Sequence, residues 1–508
     1  MKSRSQKALL NTVVLGVYQL VYFVSGLILP RFLLLSFGSD YNGVVSSITQ
    51  FLNFISILQL GIAGATRFSL YKVLAVNDLN GISAIINATE RYMRKIGIIL
   101  IGYICILSVA YPKIAETSLS SVEVGLLVLI IGASTFSQYF FGLTYQILLI
   151  ADQKQYIYYT LSTIATMLNT GVAIALMRCN QNFFVVKIVS TVIYTIIPLI
   201  LFFYVRKKYK IDKNVMPNKE AIKGRKDVMW HSIASIVHDK TDLIVLTMFS
   251  DIKLVSVYTV HYLVVNGLQK VLSIFTNSLE AGFGNMFAKK EVGTAYKNLE
   301  FYEFFMCSFV SLVFSCTLVL ISPFVKVYTS DINDINYYEP VFAFVIVVAQ
   351  MIMCLRQPYL TIVQAAGHYK QTKNGAFVEA GLNVIVSIIA IQTLGIVGVA
   401  VGTLVANSVR TFQYIVYLSK NILSRPLRKP LCMMAWTALN VFIIFSLETK
   451  LVDFFNIDSW MNLIMVAFLC FCVSFVVTLI SSAIFCNNQL KQLLKVSMNF
   501  ISKLLKKV

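Results

Sequence analysis

Stretches of eighteen or more apolar residues recur along the whole chain, and no other feature limits its fold so severely. Each is long enough to cross a hydrocarbon core of about 30 Å as a helix. In lipid every backbone N–H and C=O must find its partner within the segment, which a helix achieves. Composition points the same way. Of the 508 residues 57% are hydrophobic and 13% charged, roughly half the charge of a soluble protein. The fold class expected is all-α integral membrane, with about fourteen transmembrane helices. They are expected near 11–36, 44–66, 94–112, 122–150, 156–177, 183–205, 229–250, 254–287, 301–326, 339–365, 375–393, 395–418, 430–448 and 460–486.

The net charge of +20 would suit a nucleic acid or an anionic lipid surface, but its distribution gives a simpler account. With the N-terminus inside, cytoplasmic segments, together with Arg94 and Lys95 at the inner end of span 3, hold 32 of the 43 lysines and arginines, chiefly in "RKKYKIDKNVMPNKEAIKGRKDVM" and "KQLLKVSMNFISKLLKKV". Outer loops such as "SFGSDYNG", "TSDINDINYYE" and "DFFNIDS" contain none. Such asymmetry is the positive-inside pattern, so both termini are expected inside. The charge records topology, and no nucleic-acid partner is expected. The tail also has an amphipathic helical pattern suited to the inner membrane face.

The N-terminal "MKSRSQK" and its apolar run are too long for a signal peptide and lack a small-residue cleavage site, so they read as helix 1. Nine cysteines lie mainly within spans without a CxxC pair. Neither disulfides nor a metal site are expected.

Weak internal repetition appears at an offset of about 215 residues. "LLIADQKQY" (148–156) resembles "VQAAGHYKQT" (363–372). "MLNTGVAIALM" (167–177) aligns with "GLNVIVSIIAI" (381–391), setting Asn169 against Asn383. "SFGSDYNGVVSS" falls opposite "MFSDIKLVSVYT". Six spans separate the copies, so both enter the membrane in the same direction, with a substrate path expected between the lobes. The domains expected are a six-helix lobe over 1–205, a basic linker over 206–229 and a second six-helix lobe over 230–418. Appended helices 13 and 14 occupy 419–486, and a basic amphipathic tail 487–508.

Charges inside spans are costly and usually face a bundle interior or a wet cavity. Span 8 carries Asn266, Lys270, Ser273, Asn277 and Glu280 at spacings of four and three, a stripe roughly 80° wide. Span 2 has a milder stripe of Ser46, Gln50 and Asn53. In span 7, "HSIASIVHDKTDLIVLTMF" sets His231, Ser235, His238 and Asp242 on one face, with Asp239 beside it and Lys240 opposite. Asp239 then lies roughly 15 Å deep. For span 8 the readings are a hydrogen-bonded packing seam or a wet cavity. For span 7 they are Asp239 and Lys240 cancelling against neighbouring helices to fix packing, or Asp239 or Asp242 binding a coupling cation or proton.

Arg356 and Arg410 lie well inside spans 10 and 12. Pro358 is expected to break its helix locally, and freed backbone groups beside an arginine suit an anion site. Arg31 and Lys187 sit near outer helix ends, where snorkelling accounts for them as well as function does. Glu379 reads as interfacial. Gln138, Tyr139, Tyr145 and Gln146 in span 4 fit either the path or helix–helix bonding. No Walker A sequence and no catalytic triad or metal spacing occurs, and the outer loops are short, so the chain does not read as an enzyme.

The segments "LPRFLLLSFGSDYNGVVSSITQFLNFISILQLGIAGA", "ADQKQYI", "KTDLIVLT" and "PYLTIVQAAGHYKQTKNGAFVEAGLNV" resemble the polysaccharide transporter branch of the multidrug/oligosaccharidyl-lipid/polysaccharide (MOP) exporter superfamily, the Wzx-type flippases. The resemblance covers nearly the whole chain. It implies fourteen spans in the bacterial plasma membrane and alternating-access transfer of an undecaprenyl-diphosphate-linked oligosaccharide. The glycan would serve capsule, O-antigen or exopolysaccharide synthesis. It assigns Lys270, Arg356 and Arg410 to the diphosphate, with Arg31, Asn266, Asn277, Gln50 and Asn53 as further cavity residues. Asp239, Asp242, Glu280 and His238 become candidates for ion coupling. No cofactor is expected beyond a coupling Na⁺ or H⁺. The partners implied are the lipid-linked oligosaccharide, the bilayer and glycan assembly proteins, and the chain is expected to act as a monomer. A lipid II flippase and a MATE-type drug antiporter are the alternatives within the superfamily; a membrane glycan polymerase or transferase is the alternative outside it.

Overall fold

The computed structural model describes residues 4–222 and 226–505, without the side chains of 4–9, 226–228, 231, 273–275, 277, 278, 280, 281, 288, 496, 497 and 499–505. Among the described residues there is no β-strand. Helices α1 to α7 span Arg4–Asn53, Ile62–Ala75, Leu79–Ala110, Ser121–Ser137, Leu143–Ala151, Gln155–Arg178 and Phe183–Tyr209. Helices α8 to α14 span Lys226–Phe249, Ile252–Ala288, Val292–Phe309, Ser315–Tyr328, Pro340–Ala365, Tyr369–Leu394 and Ile396–Asn421. Arg428–Phe454, Trp460–Phe485 and Asn487–Leu505 are α15, α16 and α17. One π-helical turn, Gln138–Gly142, joins α4 to α5, and another, Val310–Phe314, joins α10 to α11. Ten stretches among the described residues are long and apolar enough to cross a membrane, and the chain is a multi-pass membrane protein.

Local chemistry sets where these helices begin and bend. The Asp78 side chain accepts from Gly81 N at 2.9 Å to cap α3, and Ser120 with Glu123 forms a capping box on α4, satisfying N–H groups that have no helical acceptor. Helix α1 is broken at Gly38, whose φ of 83° and ψ of −178° are open in practice to glycine alone. A Cβ at Gly38 would also lie 3.0 Å from Asp334 Oδ2. Pro358 does not break its helix: α12 runs through it from Pro340 to Ala365. The proline is buried, and neighbouring groups within a membrane bundle can satisfy the carbonyl that it frees.

The chain divides into two compact units, residues 1–259 with 331–335, and residues 260–330 with 336–508. In the first, the later half of α1 lies against α8 and the start of α9 through small and hydroxyl residues. Asn42 Nδ2 donates to Ser256 Oγ at 2.7 Å, and the Ser47 and Thr247 hydroxyls are 2.6 Å apart. The segment after α7 folds back on the bundle. Asn87 Nδ2 donates to the carbonyls of Asp212 and Val215 at 2.8 and 3.0 Å, Asn218 N to Ala84 O at 3.0 Å, and Ser69 Oγ to Ala221 O at 2.7 Å. In the second unit α13 and α14 approach closely because Gly398 and Gly402 carry no Cβ; one there would collide with Ala390 and Ser387. Helix α16 packs through Leu463, Val466 and Cys470 onto Val327 of α11, with Leu451 and Val452 of α15 against the same cluster.

Backbone geometry repeats along the chain. Left-handed residues occur as Asn77 and Lys290, Gln153 and Gly367, Asn180 and Gly395, Lys210 and Ser424. Each pair lies about 214 positions apart, close to the offset of the sequence repeat.

Candidate functional site

The side chains singled out in the sequence fall into both units. In the first unit His238 and Asp242 on α8 are both buried, at 6% exposure. Tyr258 OH donates to Asp242 Oδ2 at 2.7 Å. Their four-residue spacing therefore marks an inward face. Asp239 is exposed and Lys240 half-buried, while the His231 side chain lies outside the described residues. Gln50 and Asn53 on α1 are half-buried, and Gln50 Oε1 has no hydrogen-bond partner. Arg31 pairs with the exposed Asp331 at 3.3 Å, which ties the 331–335 loop to the end of a helix.

In the second unit Asn266 and Lys270 are half-buried on α9; the side chains of Ser273, Asn277 and Glu280 lie outside the described residues. Beside them on the helix, Gln269 Nε2 donates to Gln350 on α12. Arg356 on α12, Glu379 on α13 and Arg410 on α14 converge. Arg356 Nη1 bonds Glu379 Oε1, and Arg410 Nε lies 3.4 Å from Glu379 Oε2. Arg410 donates further to Thr372 O at 3.1 Å, Gln413 Oε1 at 2.6 Å and Tyr414 OH at 2.7 Å, with its guanidinium over the Tyr414 ring. A Cβ at position 375 would displace the ends of the Arg410 and Gln413 side chains, so Gly375 leaves room for them. Glu379, expected at the interface, is instead buried between two guanidiniums. Its helix position looked terminal, but the flanking helices carry the arginines to it. Among the described residues, two guanidiniums thus meet on the one carboxylate of Glu379.

Two further clusters went unread in the sequence. Arg206 Nη2 donates to both Glu90 oxygens at 2.9 and 2.8 Å, and its Nε donates to Tyr145 OH at 2.7 Å. Tyr145 OH in turn donates to Glu90 Oε2 at 3.2 Å. Elsewhere Arg425 binds Glu303 in bidentate fashion at 2.9 and 2.5 Å and lies over the Tyr359 ring at 5.8 Å. Burial works against the Arg425 charge, yet its hydrogen bonds to Glu303 outweigh that and raise its pKa. Glu303 and Tyr359 follow Glu90 and Tyr145 by about 214 positions, so the repeat offset could have paired them. Arg206 and Arg425 were absorbed into the count of basic loop residues.

A cavity of about 850 Å³ in the first unit is lined by Gln59, Gly64, Arg67, Gln146 and Glu220, among others. Gln146 of span 4 thus faces open space, whereas Tyr139 and Tyr145 are buried.

No protein-family profile and no curated protein sequence matches the chain. Solved structures do. The lipid II flippase MurJ in its inward closed conformation superposes with a TM-score of 0.68 at 13% identity, covering 95% of this chain and 100% of that one. The chain shares the fold of that flippase. An inward-facing MATE multidrug resistance transporter of the MOP superfamily gives a TM-score of 0.63 at 15% identity, over 82% of this chain and 99% of its own. A point mutant of the Vibrio cholerae MATE transporter VcmN gives 0.55 at 14%, over 84% and 99%. These MOP-fold neighbours are transporters and flippases.

Proposed function

We propose that the protein is a flippase of the bacterial plasma membrane that moves an undecaprenyl-diphosphate-linked oligosaccharide from the inner to the outer leaflet. It has fourteen spans with both termini inside. The observation that carries this is the pair of buried guanidiniums, Arg356 and Arg410, gathered on Glu379, in a fold that superposes over 95% of its length on a lipid II flippase. A buried positive charge attracts a diphosphate, since charge-assisted bonds strengthen in a low-dielectric site, and it repels a cationic drug. Lys270 supplies a third cation in the same unit, and a diphosphate would compete with Glu379 for Arg356. Asp239, Asp242 and His238 are the groups for a coupling Na⁺ or H⁺. Deleting the gene should trap lipid-linked repeat units in the inner leaflet and strip glycan from the surface. Unchanged surface glycan in a strain without a paralogue sinks the proposal.

The likeness to MurJ favours one other cargo, lipid II. Depletion of the native lipid II flippase in a host expressing this chain distinguishes the two. Survival of the host assigns lipid II; lysis with restored export of an oligosaccharide keeps the repeat-unit cargo.

A further inference from the structure

The appended helix pair contains a buried carboxyl that the transport proposal leaves unused. Glu448 on α15 is 0% exposed. Its Oε1 accepts from Ser474 Oγ on α16 at 2.6 Å, with Cys316 Sγ on α11 at 3.5 Å, while Oε2 has no hydrogen-bond partner. The titratable groups facing it are the thiols of Cys316 and, on α16, Cys470. No lysine, arginine or histidine among the described residues pairs with it, and Lys450, two positions on, is exposed. An ionised carboxylate withdrawn from water without a cation is so costly that such groups neutralise instead.

Other polar atoms in these helices share its condition. Asn440 Nδ2 lies two turns back on the same face of α15, and Thr478 Oγ1 one turn beyond Ser474 on α16. Ser311 and Ser315 Oγ lie in and just after the π-turn Val310–Phe314. All four are buried without partners. Each hydroxyl would ordinarily return its hydrogen bond to its own helix, as Thr317 does to Val313 O at 2.8 Å. Buried polar groups left unsatisfied in this way are where internal water sits, and π-turns inside helices are frequent at functional sites. A hard metal cation would need several oxygen ligands, but the next atom to the carboxyl after Ser474 is a thiol sulfur.

We propose that Glu448 is a proton-binding carboxyl, set in a polar seam of α15, α16 and the π-turn region that admits water. The proton sits on Oε2 while Oε1 keeps its bond from Ser474, and it is exchanged with the seam water. The site lies outside the cationic cluster and stands or falls separately from the choice of cargo.

The test uses the full-length protein in liposomes and N,N′-dicyclohexylcarbodiimide, which takes the proton of a carboxylic acid in apolar surroundings and is then attacked at its central carbon by the carboxyl oxygen. Mass spectrometry should find the adduct on the Glu448 peptide. Labelling should fall with rising pH, approaching about tenfold per unit once the group titrates, and should be indifferent to exchanging Na⁺ for choline. Suppression of labelling by Na⁺ at fixed pH overturns the proposal in favour of a metal-cation site. If the reagent leaves Glu448 unmodified, infrared spectra decide. A protonated-carboxyl C=O band present in the wild type and missing in Glu448→Gln supports the proton, and identical spectra overturn it. Should Glu448→Gln not fold, Ser474→Ala removes the donor to Oε1. A shift of the band then supports the site, and an unshifted spectrum overturns it.

Discussion

In the first repeat Glu90, Tyr145 and Arg206 meet where α3, α5 and α7 come together; in the second Glu303, Tyr359 and Arg425 make the corresponding clasp. The two arginines reach their carboxylates differently. Arg206 is still on its helix, whereas Arg425 comes from the loop just after the left-handed Ser424. Behind the clasp the repeats part company. The position matching Arg356 is Gly142, where a Cβ would press on Pro198. The position matching Glu379 is Ala165, and the stretch matching Arg410, Thr195 to Ile197, carries no charge. One repeat closes this region with apolar contact and the other with three charged side chains. What the repeats share holds helices together, and what only the second possesses is the cluster to which the proposal assigns cargo recognition.

The largest effect expected is in the shared clasp. The Arg425 and Glu303 side chains are 0% and 4% exposed, against 16% and 8% for Arg206 and Glu90. Glu303→Ala leaves a guanidinium stranded away from water, at a cost of about 3–5 kcal/mol. Glu90→Ala should cost less, because water reaches Arg206. Thermal unfolding in detergent measures both, and equal losses would break the comparison. Next comes the unshared cluster. Arg410→Gln leaves Arg356 paired with Glu379, so the protein should still reach the membrane, while surface glycan should fall about tenfold or more, equivalent to some 1.4 kcal/mol of lost cargo affinity. Normal export in that variant would separate this arginine cluster from transport.

A smaller effect is expected where the two backbones match but the residues do not. Gly367→Ala should cost about 1 kcal/mol from its left-handed φ alone, since nothing crowds its Cβ. At the matching Gln153, with φ of 55°, a glycine should be neutral or mildly stabilising; a loss there would show that Gln153 contributes contacts and not only a turn. Smallest of all is Arg31→Ala, because its partner Asp331 is 64% exposed and such pairs contribute at most about 1 kcal/mol. Abolished export in this variant would extend cargo recognition to the first repeat.

Much of the fold was legible because hydropathy and backbone repetition survive as sequence patterns. Helix-length apolar runs, the offset near 215 and the inward face of His238 and Asp242 all come from spacing. The clasps do not, since Glu90 and Arg206 are 116 positions apart. At helix ends an arginine that will be paired looks the same as one that only records topology. Glu379 was misplaced for a related reason: its depth along one helix says nothing of the arginines brought to it by two others. Pro358 was read as a break because its local cost is large and its neighbours are invisible in a single sequence.

The segment between the repeats is held mainly through its main chain. Asn87 and Ser69 bind its carbonyls, Ser83 Oγ accepts from the amide of Asp212, and Met216 projects outward at 88% exposure. Its course is thus written in residues belonging to other helices. Its own lettering is left open to drift, or to answer only to the machinery that inserts membrane proteins by counting positive charges. A deep mutational scan should find Met216 and Lys213 permissive and Asn87 intolerant, so that the constraint on this segment appears more than a hundred residues away from it.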